Sequence, residues 1–360
     1  MFARSWWKRK GKEAADAPAP ALSLALQGGG AHGAYTWGVL DRLLEDDWRL
    51  DGISGTSAGA MNAVALADGW VRGGAEGARE SLAGFWEAVA DSTPFELDLL
   101  HSLNGLGSLG GGADGGLPAP VNLMLGLTRL FSPYQLNPFD LNPLRDVVEK
   151  RFDFERIRSQ CRLRLFIAAT QVRTGKVRLF HTHEISADAL LASACLPTLH
   201  HAVEIDGEAY WDGGFTANPA VYPLIYDCTT PDILLVLLNP LRHPEAPRSA
   251  EEIAQRSMEL GFSTTFLREM RTLAQARAYL QEGGGWLPRG RLERKLAGLR
   301  FHLLEAEELA EAGKGSKLNA TRAFLHELRD LGRARAARWI RMHRADVGRR
   351  ETVDVAGVFA

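Results

Sequence analysis

The chain has 360 residues, of which 46% are hydrophobic and 24% are charged, as in an ordinary globular protein. This composition excludes a collagen-like or wholly disordered chain, and no apolar run approaches the ~20 residues of a membrane-spanning helix. The formal net charge of −2, from 42 basic and 44 acidic side chains, excludes a chain that is polybasic overall.

The N-terminal residues 1–20 are predicted to form a poorly ordered leader, basic and aromatic at first and then rich in alanine and proline. The leader starts like a signal peptide, but acidic and proline residues interrupt the apolar stretch that a signal peptide needs. The three cysteines have no spacing typical of a disulfide framework or a zinc site: Cys161, Cys195 and Cys228. We therefore expect isolated thiols in a cytoplasmic protein, with no metal site.

Strand and helix patterns alternate from residue 22 onward. Leu22–Gln27 is predicted to be a buried strand, and a glycine-rich loop and helical apolar spacing over residues 34–46 follow it. Leu50–Ser54 predicts a second strand, which leads into a Ser/Gly turn and an alanine-rich helix through Ala67. This order is typical of a parallel α/β unit with right-handed crossovers.

Residues 101–145 are predicted to be an insert, because residues 104–118 contain seven glycines. Such an insert either covers a site or makes an excursion over the surface. Further strands are predicted at Leu163–Ala169, Lys176–Phe180, Val203–Ile205, Ala209–Trp211 and Ile233–Leu238. We therefore divide the chain after its leader into an α/β domain at residues 21–245 and a mainly helical C-terminal extension at 246–360.

The glycine loop, Gly28–Gly33, satisfies the pattern G-x-G-x-x-G between a predicted strand and a predicted helix. This is the setting of a dinucleotide fingerprint, in which backbone N–H groups at a helix N-terminus hold an anion. On its own, the loop is compatible with a nucleotide-binding module.

A second motif, Gly55-Thr56-Ser57-Ala58-Gly59, matches G-x-S-x-G after a predicted strand and before a predicted helix. This is the context of a nucleophile elbow, although a Ser/Gly turn that caps a helix is the alternative. Because the carboxyl ends of parallel strands meet at one edge of a sheet, we expect the glycine loop to lie beside Ser57. Backbone donors next to a nucleophile indicate an oxyanion hole rather than a phosphate site.

The candidate base is Asp212, in the sequence Asp212-Gly213-Gly214 after a short predicted strand. The double glycine allows close approach of another backbone or a substrate, although a turn residue is the alternative. An α/β-hydrolase triad would need a late histidine instead. His302 and His326 are late enough, but both lie in helical or strand-like patterns, so we interpret them as packed or solvated.

Together these motifs resemble the patatin-like phospholipase family over about residues 22–240. Ala192–Pro197 is similar to the small-residue and proline segment that this family carries before its Asp-Gly-Gly, and Asn218-Pro219 matches a pattern usual after it. The resemblance implies a three-layer α/β/α fold with a mostly parallel central sheet, here followed by the helical C-terminal extension.

The resemblance also implies a Ser–Asp dyad that cleaves fatty-acyl esters of lipids or phospholipids, with Ser57 as nucleophile and Asp212 as general base. Backbone groups would line the oxyanion hole at Gly28, Gly29, Gly30, Ala31 and Ala58. The supporting motif glycines would be Gly33, Gly55, Gly59, Gly213 and Gly214. No cofactor or metal is implied.

A carboxylate with an ordinary pKa of about 3.9 is a weak base for serine, so we expect Asp212 to be partly desolvated. Trp211 and Phe215 are the expected source of that burial. The alternatives are a general carboxylesterase or lysophospholipase, a non-catalytic nucleotide-binding module, and a catalytically silent scaffold.

Basic charge is concentrated at the two ends of the chain. Residues 1–12 carry five basic and no acidic side chains, and residues 314–350 carry eleven basic and three acidic. Basic segments that contain tryptophan favour anionic membrane surfaces. The alternative is a solvated tail and a helix packed on its own domain. No recognised nucleic-acid motif accompanies the charge, so the expected location is cytoplasmic, with or without peripheral membrane contact.

Overall fold

A computed structural model describes residues 19–92, 131–243, 246–282, 290–311 and 316–360. The predicted leader at 1–20 and the predicted insert at 101–145 therefore lie largely outside the described residues. One mixed sheet and the helices on its two faces make up the described part of the chain.

The strands are β1 (Ala21–Leu26), β2 (Arg49–Thr56), β3 (Arg164–Gln171), β4 (Val177–His181), β5 (Val203–Ile205), β6 (Glu208–Asp212), β7 (Asp232–Leu237) and β8 (Arg300–Glu305). Their order in the sheet is β5-β6-β3-β2-β1-β7-β8, and β4 also pairs with β3. The neighbouring pairs β3–β2, β2–β1, β1–β7 and β7–β8 are parallel. The pairs β3–β4, β3–β6 and β5–β6 are antiparallel. The mostly parallel central sheet is confirmed.

The helices are α1 (Gly33–Leu43), α2 (Ala58–Asp91), α3 (Pro133–Leu136), α4 (Pro143–Arg151), α5 (Phe154–Gln160), α6 (Ala187–Ser193), α7 (Tyr222–Asp227), α8 (Ala250–Glu282), α9 (Arg291–Gly298), α10 (Arg322–His343) and α11 (Val355–Phe359). Within α2 the backbone angles of Gly73 and Gly74 are not helical, so the helix bends there.

Alternation of side chains along β1 separates two cores. Leu22, Leu24 and Leu26 pack on one face of the sheet with α1, α2 and α10, whereas Ala25 faces the other side. There α7, α8 and α11 cover the sheet, with Phe266 of α8 fully buried. Strands buried on both faces are expected in a parallel sheet with helices on either side. The three-layer α/β/α architecture is therefore confirmed.

Strand β8 lies in the region that the sequence pattern predicted to be mainly helical. It pairs in parallel with β7 and adds an edge to the central sheet. A fully buried histidine, His302, interrupts its apolar pattern and lies 3.1 Å from the carboxylate of Asp232. A buried polar residue in a six-residue strand weakens the pattern by which a strand is recognised. The C-terminal third therefore contributes to the sheet as well as to the helical layers.

Of the two interpretations of residues 314–350, the structure supports a helix packed on its own domain. Helix α10 buries Leu325, Leu328, Trp339 and Ile340 in the core that it shares with α1. Three of its arginines pair with acidic residues of the same protein: Arg322 with Glu87, Arg333 with Glu45 and Arg335 with Glu307. Among the described residues, no helix has both the length and the apolar character needed to cross a bilayer.

Candidate active site

Ser57 stands in the tight turn between β2 and α2. Its φ of 53° and ψ of −123° lie outside the regions that non-glycine residues ordinarily adopt, so the turn is strained. A side chain at Gly59 would overlap the carbonyl of Leu26 on the neighbouring strand, which is why glycine is required two residues after the serine. Strand, strained serine turn and helix have the arrangement expected of a nucleophile elbow.

Asp212 ends β6, next to β3, and the nearby Ser57 side chain lowers the pKa of its carboxylate. The same carboxylate accepts the N–H of Gly214 at 2.7 Å. Asp212 is only 3% exposed, and burial raises its pKa to about 7, against the opposing effects of the Gly214 N–H and the Ser57 side chain. A carboxylate that titrates near neutrality is suited to act as a general base at physiological pH.

The aromatic surroundings of Asp212 include a residue that the sequence interpretation missed. Phe262 of α8 lies 3.2 Å from the position that a side chain at Gly214 would take, and it packs edge-on against Phe215 with ring centroids 4.8 Å apart. Phe215 itself is 40% exposed, so it forms part of the surface of the site. Nothing in the sequence near Asp212 indicates Phe262, because α8 begins far downstream of it.

The glycine loop lies against the nucleophile, as its place in a parallel sheet predicts. A side chain at Gly28 would come within 2.7 Å of the Thr56 carbonyl and 2.8 Å of the Ser57 Cβ. The turn at Gly30–His32 then leads directly into α1. Elbow and loop therefore form one site at the carboxyl edge of β1 and β2.

Gly28 differs from its predicted role as an oxyanion donor. Its N–H donates to Oδ1 of Asn218 at 2.7 Å, so this group is already engaged. Gly30 and Ala31 lie in the first helical turn after the loop, and Ala58 is the first residue of α2. The first N–H groups of a helix have no partner within that helix and are suited to bind an anion. Gly30, Ala31 and Ala58, with Gly29 before them, remain the candidate donors.

A short segment at the C-terminal end of α6 contacts the backbone of both members of the candidate dyad. The Ser193 hydroxyl accepts the N–H of Ser57 at 2.9 Å, and the carbonyl of Cys195 accepts the N–H of Asp212 at 2.7 Å. Ser193 is fully buried. The sequence indicates this segment only through its resemblance to a family pattern, and its contacts indicate that it positions the serine relative to the carboxylate.

Ser193→Ala is expected to lower kcat about 10-fold while KM stays within 2-fold, because it leaves the Ser57 N–H unpaired next to the nucleophile. The matched control is Ser54→Ala, since Ser54 is also fully buried and its hydroxyl makes no hydrogen bond to the described residues. Steady-state kinetics of both variants on an acyl ester test this. Equal kcat values for the two variants would refute a positioning role for Ser193.

The histidines occupy other places in the fold. His302 contacts Asp232 and Thr352, and His326 of α10 contacts Glu87. His32 is buried in the glycine loop, with Nε2 2.8 Å from the hydroxyl of Ser316, and burial lowers its pKa to about 4. Within the described residues, none of these three donates to or accepts from Ser57. The interpretation of His302 as a packed histidine is confirmed.

A model of the family described as Patatin-like phospholipase matches residues 24–225, which is more than half of the chain. No curated protein sequence matches the chain. Among solved structures, VipD from Legionella pneumophila is 15% identical, with 91% of this chain and 67% of VipD covered and a TM-score of 0.39. The ExoU–SpcU complex of the type III secretion system of Pseudomonas aeruginosa also gives 15% identity, with coverage of 95% and 74% and a TM-score of 0.29. At these TM-scores neither structure adds to the family match.

Proposed function

The chain belongs to the patatin-like phospholipase family, and on that premise we propose that it is a serine acyl hydrolase that cleaves fatty-acyl esters of phospholipids through Ser57 and Asp212. One observation carries the proposal: the side chain of Ser57, in a strained turn, lies close enough to the buried carboxylate of Asp212 to lower its pKa. Nucleophile and base are therefore already within reach of each other.

In the acylation step, Oγ of Ser57 attacks the ester carbonyl carbon while its proton passes to the Asp212 carboxylate. The carbonyl π electrons move to the oxygen, where the N–H groups of Gly30, Ala31 and Ala58 are placed to stabilise the negative charge. When the tetrahedral intermediate collapses, the C–O bond to the alcohol breaks. Asp212 returns the proton to the leaving oxygen, which releases a lysophospholipid and leaves the acyl group on Ser57.

In the deacylation step, water replaces the alcohol. Asp212 accepts a proton from the water as its oxygen attacks the acyl-enzyme carbonyl, and the same backbone donors stabilise the second intermediate. Collapse expels Ser57 as the leaving group, which takes back the proton from Asp212 and releases the fatty acid. The raised pKa of Asp212 suits both transfers, since the group must gain and lose a proton in each cycle.

A nucleotide-binding role for the glycine loop receives less support. The N–H of Gly28, which a phosphate-binding loop would offer to its ligand, is engaged by Asn218. The loop also lies directly against Ser57. These contacts favour an oxyanion hole. Peripheral membrane contact through residues 1–12 and 314–350 and a cytoplasmic location stay predictions, and residues 1–12 lie outside the described part of the chain.

The test is fatty-acid release by wild type and Ser57→Ala from esters of graded chain length, with and without anionic phospholipid vesicles. We expect the wild type to release fatty acid from the vesicles and Ser57→Ala to release none above background. Equal release by both proteins would refute the serine mechanism. Activity confined to short soluble esters would favour a general carboxylesterase.

A further inference from the structure

One face of α8 runs along the edge of the candidate site. Arg256, Glu259 and Phe262 follow each other at intervals of three residues, so they lie on the same side of the helix. Phe262 contacts the Gly213–Gly214 turn beside Asp212, whereas Glu259 contacts Lys317. Along this face of α8, the aromatic Phe262 therefore lies near Asp212, and the charged Arg256 and Glu259 lie farther from it.

The charged part of this face lies at the oxyanion loop. The turn at Ser316–Leu318 packs on that loop, because a side chain at Gly30 would overlap the carbonyl of Lys317 and the hydroxyl of Ser316 bonds to His32. Lys317 is thus directly next to the candidate oxyanion donors. Arg256 contacts the same Glu259 carboxylate that Lys317 contacts.

Positive charge exceeds negative charge in this cluster. Nζ of Lys317 lies 3.4 Å from one oxygen of Glu259 and donates to Oδ1 of Asn239 at 2.9 Å. Nη1 of Arg256 lies 3.5 Å from the other oxygen of Glu259, which also lies 3.6 Å from Nε2 of His243, so Lys317 and Arg256 share one carboxylate. Both contacts are long compared with the 2.6 Å and 2.9 Å of the bidentate Arg300–Asp232 pair. The side chains of Lys317 and Arg256 are 35% and 26% exposed, so an incoming anion can reach them.

We propose that Lys317 and Arg256 form a subsite for the phosphodiester of a phospholipid headgroup. This inference rests on the proposed function and assigns the residues that would bind the phosphate of its substrate. The guanidinium group offers paired N–H donors that match two phosphate oxygens, and the ammonium group adds a point charge. With the phosphate held there, the acyl chain extends toward Phe262 and Phe215, and the ester lies between the oxyanion donors and Ser57.

The first test compares dioleoylphosphatidylglycerol with dioleoylglycerol, which has the same acyl chains but no phosphate, in neutral detergent micelles. For Lys317→Gln and for Arg256→Gln we expect kcat/KM on the phospholipid to fall about 10-fold, and kcat/KM on dioleoylglycerol to change less than 2-fold. Lys317→Arg should retain activity on both substrates. The matched control is Arg268→Gln, since Arg268 is an exposed arginine of the same helix.

The second test does not depend on hydrolysis and therefore separates failure of the subsite from failure of the proposed function. Calorimetry on the Ser57→Ala protein measures binding of dihexanoylphosphatidylglycerol and, separately, of inorganic phosphate. We expect the phospholipid to bind and the Kd to rise about 10-fold in the double variants with Lys317→Gln or Arg256→Gln. Equal loss of activity on both lipids, an unchanged Kd, or binding of inorganic phosphate alone would overturn the headgroup subsite.

Discussion

Asp212→Asn is expected to lower kcat on acyl esters by ~10²–10⁴-fold while the protein stays folded. An amide cannot accept the proton of Ser57, but its oxygen can still accept the N–H of Gly214 that Asp212 accepts at 2.7 Å. The measurement is steady-state kinetics together with circular dichroism of both proteins. Near-wild-type turnover by the variant would remove Asp212 from the mechanism.

The pH dependence follows from the same carboxylate. Because only the ionised form is a base and burial raises the pKa to about 7, kcat/KM of the wild type should fall about 10-fold per pH unit below that value. The free energy of unfolding should fall as the pH rises, whereas kcat/KM rises. The folded protein binds this proton more tightly than the unfolded chain, so the contribution of Asp212 to stability is present below the unfolded pKa of 3.8 and is lost as the pH rises through about 7.

Asp212→Asn removes the free-energy cost of burying an ionised carboxylate, since the amide carries no charge at any of these pH values. At pH 8 we therefore expect the variant to melt at a higher temperature than the wild type, and the difference should shrink as the pH is lowered. Melting curves at pH 5 and pH 8 measure it. A lower melting temperature for the variant at pH 8 would contradict burial as the cause of the raised pKa.

Gly59→Ala is expected to destabilise the fold by about 3 kcal/mol, the upper end of the usual cost of overpacking. The added methyl group would overlap the carbonyl of Leu26, a backbone atom of the central strand β1 that cannot move without disturbing the sheet. Activity should be lost along with stability, because the elbow and the glycine loop would be pushed apart. Urea unfolding measures the free-energy change.

The matched control is Gly261→Ala in α8, where a side chain would meet no atom within 4 Å. This variant should be neutral or more stable by up to about 1 kcal/mol, because alanine has the higher helix propensity. If both variants unfold at the same urea concentration, the close approach of Gly59 to Leu26 has no energetic consequence, and the steric explanation of the elbow glycine fails.

Most of the architecture could be predicted because its signals are local. Buried strands such as Leu22–Gln27 and Ile233–Leu238 appear as continuous apolar runs, and their predicted edges lie within about a residue of β1 and β7. Strand β8 is not predicted because His302 breaks its apolar run, and the two partners of that histidine, Asp232 and Thr352, are distant in the sequence. The segment at 314–350 left two interpretations open, since an amphipathic basic helix suits a protein core as well as a bilayer.

The candidate site also combines residues that a local motif indicates with residues whose roles depend on distant contacts. Ser57 and Asp212 could be singled out because each is embedded in a short glycine motif. The role of Ser193 and the engagement of Gly28 could not be predicted, since they depend on hydrogen bonds between residues 136 and 190 positions apart. The direction of the Gly28 N–H depends on where Asn218 lies in the folded chain, and no local pattern encodes that position.

The most direct test of the account is labelling with a fluorophosphonate probe, which reacts with activated serines, followed by peptide mapping. We predict that the wild type is labelled at Ser57 alone, at a rate that rises with pH through about 7. Asp212→Asn should be labelled at least ~10²-fold more slowly, because the serine loses its base. Labelling at another residue, or labelling of Asp212→Asn at the wild-type rate, would contradict a serine activated by Asp212.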